Sequence, residues 1–176
     1  MRLALQLHPE SRCRAITRIE VDLACDADML TLEFQAIGRI ADLRIPNSAT
    51  PVRRDGLWQH SCFEAFVAAG GVYHEFNFAP SAEWAAYGFS GYRTGMRDLD
   101  IAAPAIQLRA GDELLALTVS LALADLPERN SAQWQLGLSA IIEESDGNKS
   151  YWALAHAPGK PDFHHPDCFA HPLAGQ

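Results

Sequence analysis

Two runs of alternating apolar and polar residues flank Gly70-Gly71, from Phe63 to Ala69 and from Val72 to Phe78. Alternation at a period of two is the strand signal, and a Gly-Gly pair between two such runs predicts a hairpin. A two-residue loop at the glycines fixes the register. Ala69 then faces Val72, Val67 faces His74, Ala65 faces Phe76 and Phe63 faces Phe78; Phe66 meets Glu75, and Glu64 meets Asn77. Phe63, Ala65, Val67, Phe76 and Phe78 share one face, which reads as a core surface. The opposite face carries Glu64, Phe66, Tyr73, Glu75 and Asn77. A slip of one residue would put both glutamates into the core, so the pattern resists slippage.

The same reading extends along the chain. Residues 1–12 read as an arm or edge strand. Ile19, Val21 and Leu23 alternate with Arg18, Glu20 and Asp22, and Leu30, Leu32, Phe34 and Ala36 alternate with Thr31, Glu33 and Gln35. Asp26-Ala27-Asp28 is the turn between them. Arg39–Ile45 reads as another short strand and Pro46–Asp55 as a loop. After Pro80-Ser81, Ala85, Tyr87 and Phe89 point to one side of an extended segment, with Trp84, Ala86 and Gly88 on the other. Strands are predicted at Ala105–Arg109 and Glu113–Leu123. Ala124–Pro127 reads as a short helical turn. The longest alternation runs from Trp134 to Ile142, and Asp146-Gly147 turns it back into Ser150–His156. The tail from Ala157 to Gln176 reads as coil. About ten short strands with frequent turn signals and no long helix predict an all-β fold, an antiparallel β-sandwich or jelly roll.

Composition narrows the function classes. A chain of 176 residues fits one domain, 1–176, and 48% hydrophobic residues is ordinary for a packed core. A net charge of -8 disfavours nucleic acid and anionic membrane surfaces as partners. No stretch has the length of a membrane span, and the N-terminus lacks the pattern of a signal peptide. Cys13, Cys25, Cys62 and Cys168 are scattered, without a CxxC pair, and read as free thiols. The expected compartment is the cytoplasm, and on that ground the sequon Asn148-Lys149-Ser150 is set aside. No nucleophile elbow, phosphate loop, HExxH or dinucleotide fingerprint occurs, which lowers the weight of the common enzyme classes.

The residues around the central hairpin also carry a resemblance. Gly56-Leu57-Trp58, Cys62-Phe63-Glu64-Ala65-Phe66, Tyr73 with Glu75-Phe76-Asn77, and Pro80-Ser81 resemble the signature of DOMON-like domains related to family 9 carbohydrate-binding modules. Trp84…Tyr87…Phe89…Tyr92-Arg93…Gly95-Met96-Arg97 continues it, as do Tyr151-Trp152-Ala153-Leu154 and Lys160-Pro161-Asp162-Phe163-His164. The resemblance implies a single β-sandwich domain, with an N-terminal arm and a C-terminal coil, that binds a ligand without chemistry. In family 9 modules the ligand is a sugar held between aromatic faces and polar side chains. The pairing of Trp58 with Glu64 is similar to such an arrangement, and Trp84 and Trp152 are both candidates for a second clamp.

The candidate ligand-binding residues are therefore Trp58, Glu64, Glu75, Asn77, Trp84 and Arg93. Trp58, followed by polar Gln59 and His60, is a stacking platform or a packed edge residue. Trp84 reads first as packing. Glu64 offers acceptors and Asn77 both donors and acceptors, a combination suited to sugar hydroxyls. Arg93, beside Tyr92, suits bidentate bonding at the rim. The expected ligand is a small polar molecule, a saccharide or sugar derivative. No cofactor and no metal are called for. Three alternatives stay open. Glu64 and Glu75 lie diagonally on adjacent strands, close enough for a glycosidase pair, but nothing in the sequence raises either pKa. Asp162, His164, His165, Asp167 and Cys168 hold metal-ligand types and could serve a metal-assisted hydrolase, although their spacing fits no zinc pattern. An aromatic sheet face could also bind a protein.

Overall fold

The computed structural model describes residues 1–176 except 27–28, 48–49, 125, 127–132 and 175–176. Among the described residues, regular structure is strand and short 3-10 turns, and twelve strands form one curled antiparallel sheet that folds over itself into a sandwich. The first layer holds β1 (Arg2–Leu7), β2 (Ile16–Asp26), β3 (Met29–Gly38), β9 (Leu114–Ala122) and β8 (Ala105–Ala110), side by side in that order. The second runs β7 (Arg97–Asp98), β6 (Trp84–Phe89), β5 (Val72–Phe78), β4 (Cys62–Ala69), β10 (Gln133–Glu143) and β11 (Lys149–Ala153). Strand β12 (His171–Ala174) pairs β10 beyond the end of β11.

Alternation explains the layers. Ile19, Val21, Leu30, Leu32, Phe34, Leu117 and Val119 project from the first layer into a common core with Phe63, Ala65, Phe76, Phe78, Leu136 and Leu138 of the second. The fold class expected from the sequence is the one observed. The β4–β5 hairpin has the register set by Gly70-Gly71, from Ala69 opposite Val72 to Phe63 opposite Phe78, with Glu64 opposite Asn77 and Phe66 opposite Glu75. Both glycines take positive φ, 61° and 89°, the conformation for which that dipeptide is suited.

Four expectations need correction or fall outside the described residues. The N-terminal arm is strand β1, which pairs β2 on one side and β11 on the other and so joins the two layers. Arg39–Ile45 is not a strand: Ile40–Asp42 forms a 3-10 turn that buries Ile40, and Leu43 makes only an isolated bridge to Glu144. The tail is not wholly coil. β11 occupies the side of β10 from Ser139 to Glu143, which leaves Gln133–Leu136 open on that side, and β12 fills the gap. An unfilled edge there would expose unpaired backbone groups. Of the two short turns, Ala27, Asp28, Asp125 and Pro127 lie outside the described residues.

The second layer has a second apolar face, turned away from the sandwich core. Cys62, Phe66, Tyr73, Ala85, Tyr87, Phe89 and Ile141 project there and are buried, together with Leu57 and Phe163. The segment between β11 and β12 lies across this face. Phe169 stacks on Phe66, with ring centres 5.7 Å apart, and approaches Tyr73 at 5.4 Å. Gly137 of β10 permits the approach. A Cβ there would stand 2.8 Å from the Phe169 ring and 3.1 Å from the Cys168 carbonyl oxygen. Gly137→Ala should therefore lift the 155–170 segment and cost about 1–3 kcal/mol. Urea denaturation reads the loss, and limited proteolysis should show earlier cleavage within that segment than in the parent protein.

Candidate functional site

Between this covering segment, the Gly56–Gln59 turn and the outer face of β4–β5–β6 lies a cleft of about 780 Å³. Its floor is made by Glu64 and Glu75, which the hairpin register sets diagonally on one face of adjacent strands. Tyr87 and Phe89 of β6 and Tyr151 and Phe163 form aromatic walls. Trp58, Arg93, Met96 and Lys160 stand at the rim. Trp58 sits on a 3-10 turn, Leu57–Gln59, entered through Gly56 at φ 74°, and Leu57 anchors that turn by burying. The indole of Trp58 is left 57% exposed, whereas Trp84, Trp134 and Trp152 are buried.

The floor carboxylates are deeply recessed. Glu64 is 3% exposed, and Ser139 donates to its Oε2 at 3.1 Å. Burial, reinforced by the neighbouring Glu75, pushes its pKa up to about 8, against the opposing hydrogen bond from Ser139. Burial also raises Glu75, opposed by the Asn77 amide, which donates to Oε1 at 2.7 Å, and by Arg93. Two carboxyl groups that share one low-dielectric site do not both ionise readily. The pair therefore favours keeping a proton, which gives the floor hydrogen-bond donor as well as acceptor capacity.

One side of the cleft is organised by His164. Its Nδ1 lies 2.9 Å from the Tyr73 hydroxyl, which also accepts the backbone N–H of Arg93 at 3.2 Å. With that acceptance the hydroxyl hydrogen is free to point at Nδ1, which places the imidazole hydrogen on Nε2, 3.7 Å from Glu75. Burial and the positive charge of Arg93 hold the His164 pKa at about 4, so the ring is neutral under ordinary conditions. Arg93 donates to Asp162 at 2.8 Å, and the Tyr92 hydroxyl donates to the other oxygen of that carboxylate at 2.5 Å. Asp162 thus ties the β6–β7 loop to the covering segment and forms a strap over His164. Arg93 meets this requirement in a left-handed conformation, φ 51°. Across the cleft, the Tyr87 hydroxyl donates to Asp55 at 2.6 Å, and burial and this bond raise the phenol pKa.

The six residues singled out in the sequence have different fates. Trp58, Glu64, Glu75 and Arg93 line one cleft. Asn77 is 1% exposed and does not line it; its amide is committed to Glu75, so it positions that carboxylate rather than facing a ligand. Trp84 belongs to the core between the layers, on the opposite face of β6 from Tyr87 and Phe89, and is not part of the cleft. Trp152 likewise lies in that core. The polar hairpin face is not an open sheet surface, because the covering segment roofs it. That burial is also the cause of the raised carboxyl pKa, which no neighbour in the sequence reveals.

The histidine- and aspartate-bearing tail segment divides. Asp162 and His164 belong to the site, Asp167 pairs loosely with His165, and the Cys168 thiol donates to the Asp162 carbonyl. These residues do not converge into a metal-binding group of three or more ligand types among the described residues. Sequence reasoning missed Tyr87, Phe89 and Phe163 as site residues and weighed His164 only as a metal-ligand type. The first two were legible, since alternation places them on the same face of the sheet as Glu75, and Tyr87 pairs Glu75 directly.

No family model matches the sequence, and no curated protein matches it. Solved structures do share the fold. The chain aligns with a proposed carbohydrate-binding protein from Bacteroides uniformis at 12% identity and a TM-score of 0.68, covering 96% of this chain and 83% of that one. It also aligns with a family 9 carbohydrate-binding module from Caldicellulosiruptor kristjanssonii. In complex with cellotriose the identity is 12% and the TM-score 0.52, over 88% of this chain and 74% of that one. In complex with glucose the TM-score is 0.50, again at 12% identity, over 88% and 76%.

The recessed carboxyl makes stability depend on pH in a definite direction. The folded pKa of Glu64 lies above its ordinary 4.5, so folding retains a proton that the unfolded chain releases. The contribution is complete below 4.5 and is lost as pH rises towards about 8. Unfolding free energy should fall across that window with a slope of up to ~1.4 kcal/mol per pH unit. Glu64→Gln should remove most of the slope in urea denaturation series at pH 5, 6, 7 and 8, because the amide keeps the shape and cannot ionise.

Proposed function

We propose that the protein binds a saccharide or sugar derivative in this cleft and does not transform it. The observation that carries the reading is a pair of recessed carboxyl groups, Glu64 and Glu75, at the bottom of an aromatic-walled cleft open to solvent. A sugar ring presents hydroxyls that both donate and accept around its edge, and C–H groups on its faces. Carboxyl groups below and an indole or phenyl face beside it complement both. Trp58 is the stacking surface, Glu64 and Glu75 bond hydroxyls, and Arg93 and Lys160 close the rim. The shared fold with a module solved with cellotriose and with glucose supports the same class of ligand.

The raised pKa of Glu64 also suits a general acid, which makes hydrolysis the reading to weigh against binding. Geometry favours binding. A glycosidase pair flanks the scissile bond, with one group protonating the leaving oxygen and the other acting at the anomeric carbon. Glu64 and Glu75 rise from one sheet face on adjacent strands, both beneath whatever fills the cleft. Cytoplasmic residence and the absence of a metal or cofactor remain part of the proposal, carried by the sequence.

Calorimetric titration with mono- and oligosaccharides, among them glucose, cellobiose, cellotriose and glucuronate, tests the reading. At least one should bind with unit stoichiometry, and Trp58→Ala should weaken it roughly tenfold. Ligand should shift the emission of the parent protein, and the shift should vanish in Trp58→Ala, because Trp58 is the exposed indole among the four tryptophans. Heatless titrations across the whole panel would sink the reading, and sugar release from an oligosaccharide would convert it into hydrolysis.

A further inference from the structure

Four glutamates are buried among the described residues, Glu64, Glu75, Glu143 and Glu144. Two of them are fully compensated by the protein. Glu143 is paired with Arg44 at 3.1 Å and lies 2.7 Å from His60 Nδ1. Glu144 accepts the backbone N–H groups of Arg14 and Ala15 at 2.9 and 2.7 Å and the Asn148 amide at 2.6 Å. Glu64 and Glu75 have neither arrangement. Each takes one hydrogen bond from a neutral donor, Ser139 on Oε2 of Glu64 and Asn77 on Oε1 of Glu75. Glu64 is 3% exposed and lines the cleft, yet its Oε1 has no hydrogen-bond partner among the described residues. Oε2 of Glu75 has only the neutral His164 ring, 3.7 Å away. Buried carboxylates are ordinarily paired with a cation or a full set of donors. Here the unpartnered oxygens belong to the floor of a cavity that a ligand can enter.

The other charged groups around the floor do not fill this role. Arg93 is ion-paired with Asp162 at 2.8 Å, and Lys160 stands exposed at the rim. Asp55 adds a further acid to the lining and accepts the Tyr87 hydroxyl. The Cys62 thiol behind the floor is kept neutral by burial. We propose that the ligand is an amino sugar whose free amine enters as an ammonium group and seats on Glu64 Oε1 and Glu75 Oε2. The inference rests on the saccharide reading and names the class of sugar. An ammonium group has three donors and no acceptor, which matches a floor short of donors. The aromatic walls suit it as well, because an aromatic ring attracts a cation as readily as it packs on a sugar face. Burial and Glu75 push the Glu64 pKa up to about 8, so a cation seated on the pair drives a proton off it.

Calorimetric titration at pH 6.5 with glucosamine, N-acetylglucosamine, glucose and benzylamine tests the proposal. Glucosamine should bind at least about tenfold tighter than glucose or N-acetylglucosamine, the difference between charge-assisted and neutral hydrogen bonds. Repeating the titration in buffers of different ionisation enthalpy should show release of roughly half a proton or more with glucosamine and little with glucose. In the double variant Glu64→Gln, Glu75→Gln the amides keep the shape and cannot ionise. Its preference for glucosamine should shrink to within about twofold, and the proton release should vanish. Should that variant fold poorly or bind neither sugar, Glu64→Gln alone decides the same point, and the release should fall below half of the parent value. Equal or weaker binding of glucosamine relative to glucose, or a preference and release that survive these substitutions, would overturn the ammonium seat and leave the saccharide reading standing. Binding of benzylamine with no sugar bound would overturn the saccharide reading and keep a cation site of another source. No binding by any of the four would overturn both.

Discussion

The side-chain period of a β-strand is two, and in this protein that constraint has an unusual consequence. Strands β4 and β5 are buried on both faces, so every residue in the hairpin must be assigned to one interior or the other. One interior is built from hydrocarbon side chains. The other must accommodate two carboxyl groups, and it does so by leaving space above them instead of packing them shut. The Gly70-Gly71 turn fixes which residues fall where. A shift by one position would drive Glu64 and Glu75 against Phe34 and its neighbours, where no hydrogen bond or solvent could compensate. Core, cleft and hairpin turn are therefore a single specification.

The carboxyl pair then shapes its own surroundings. Each group is held by a neutral donor, Ser139 for Glu64 and Asn77 for Glu75. A buried arginine against either would have pinned it as an anion and occupied the oxygens that face the cleft. Arg93 is nearby but gives its hydrogen bond to Asp162, where it fastens loop to roof. The site thus keeps acceptor and donor capacity free at its floor, while the Arg93–Asp162 pair serves architecture.

Much of this was legible in the chain. Alternation around the glycines yields the hairpin, its register and the company that Glu64 keeps, because one face must be apolar. What alternation could not reveal is which side of the second layer lies under a roof. The segment from Ala155 onward has no period; its placement depends on Phe163 and Phe169 finding an apolar sheet face and on Gly137 leaving room. For the same reason Trp84 was ambiguous. Its neighbours in sequence alternate correctly, but only the observed layers tell the sandwich core from the cleft. Strand β12 escaped because a four-residue strand containing Pro172 has little pattern of its own, and its partner edge on β10 is open only because β11 is short.

The roof and the floor it covers are far apart in the chain, so one segment places the two carboxyl groups and another withdraws them from water. Without that roof, Glu64 and Glu75 would face water, where both carboxyl groups ionise and repel one another. Covering the pair is accordingly coupled to the uptake of a hydrogen ion as well as to packing.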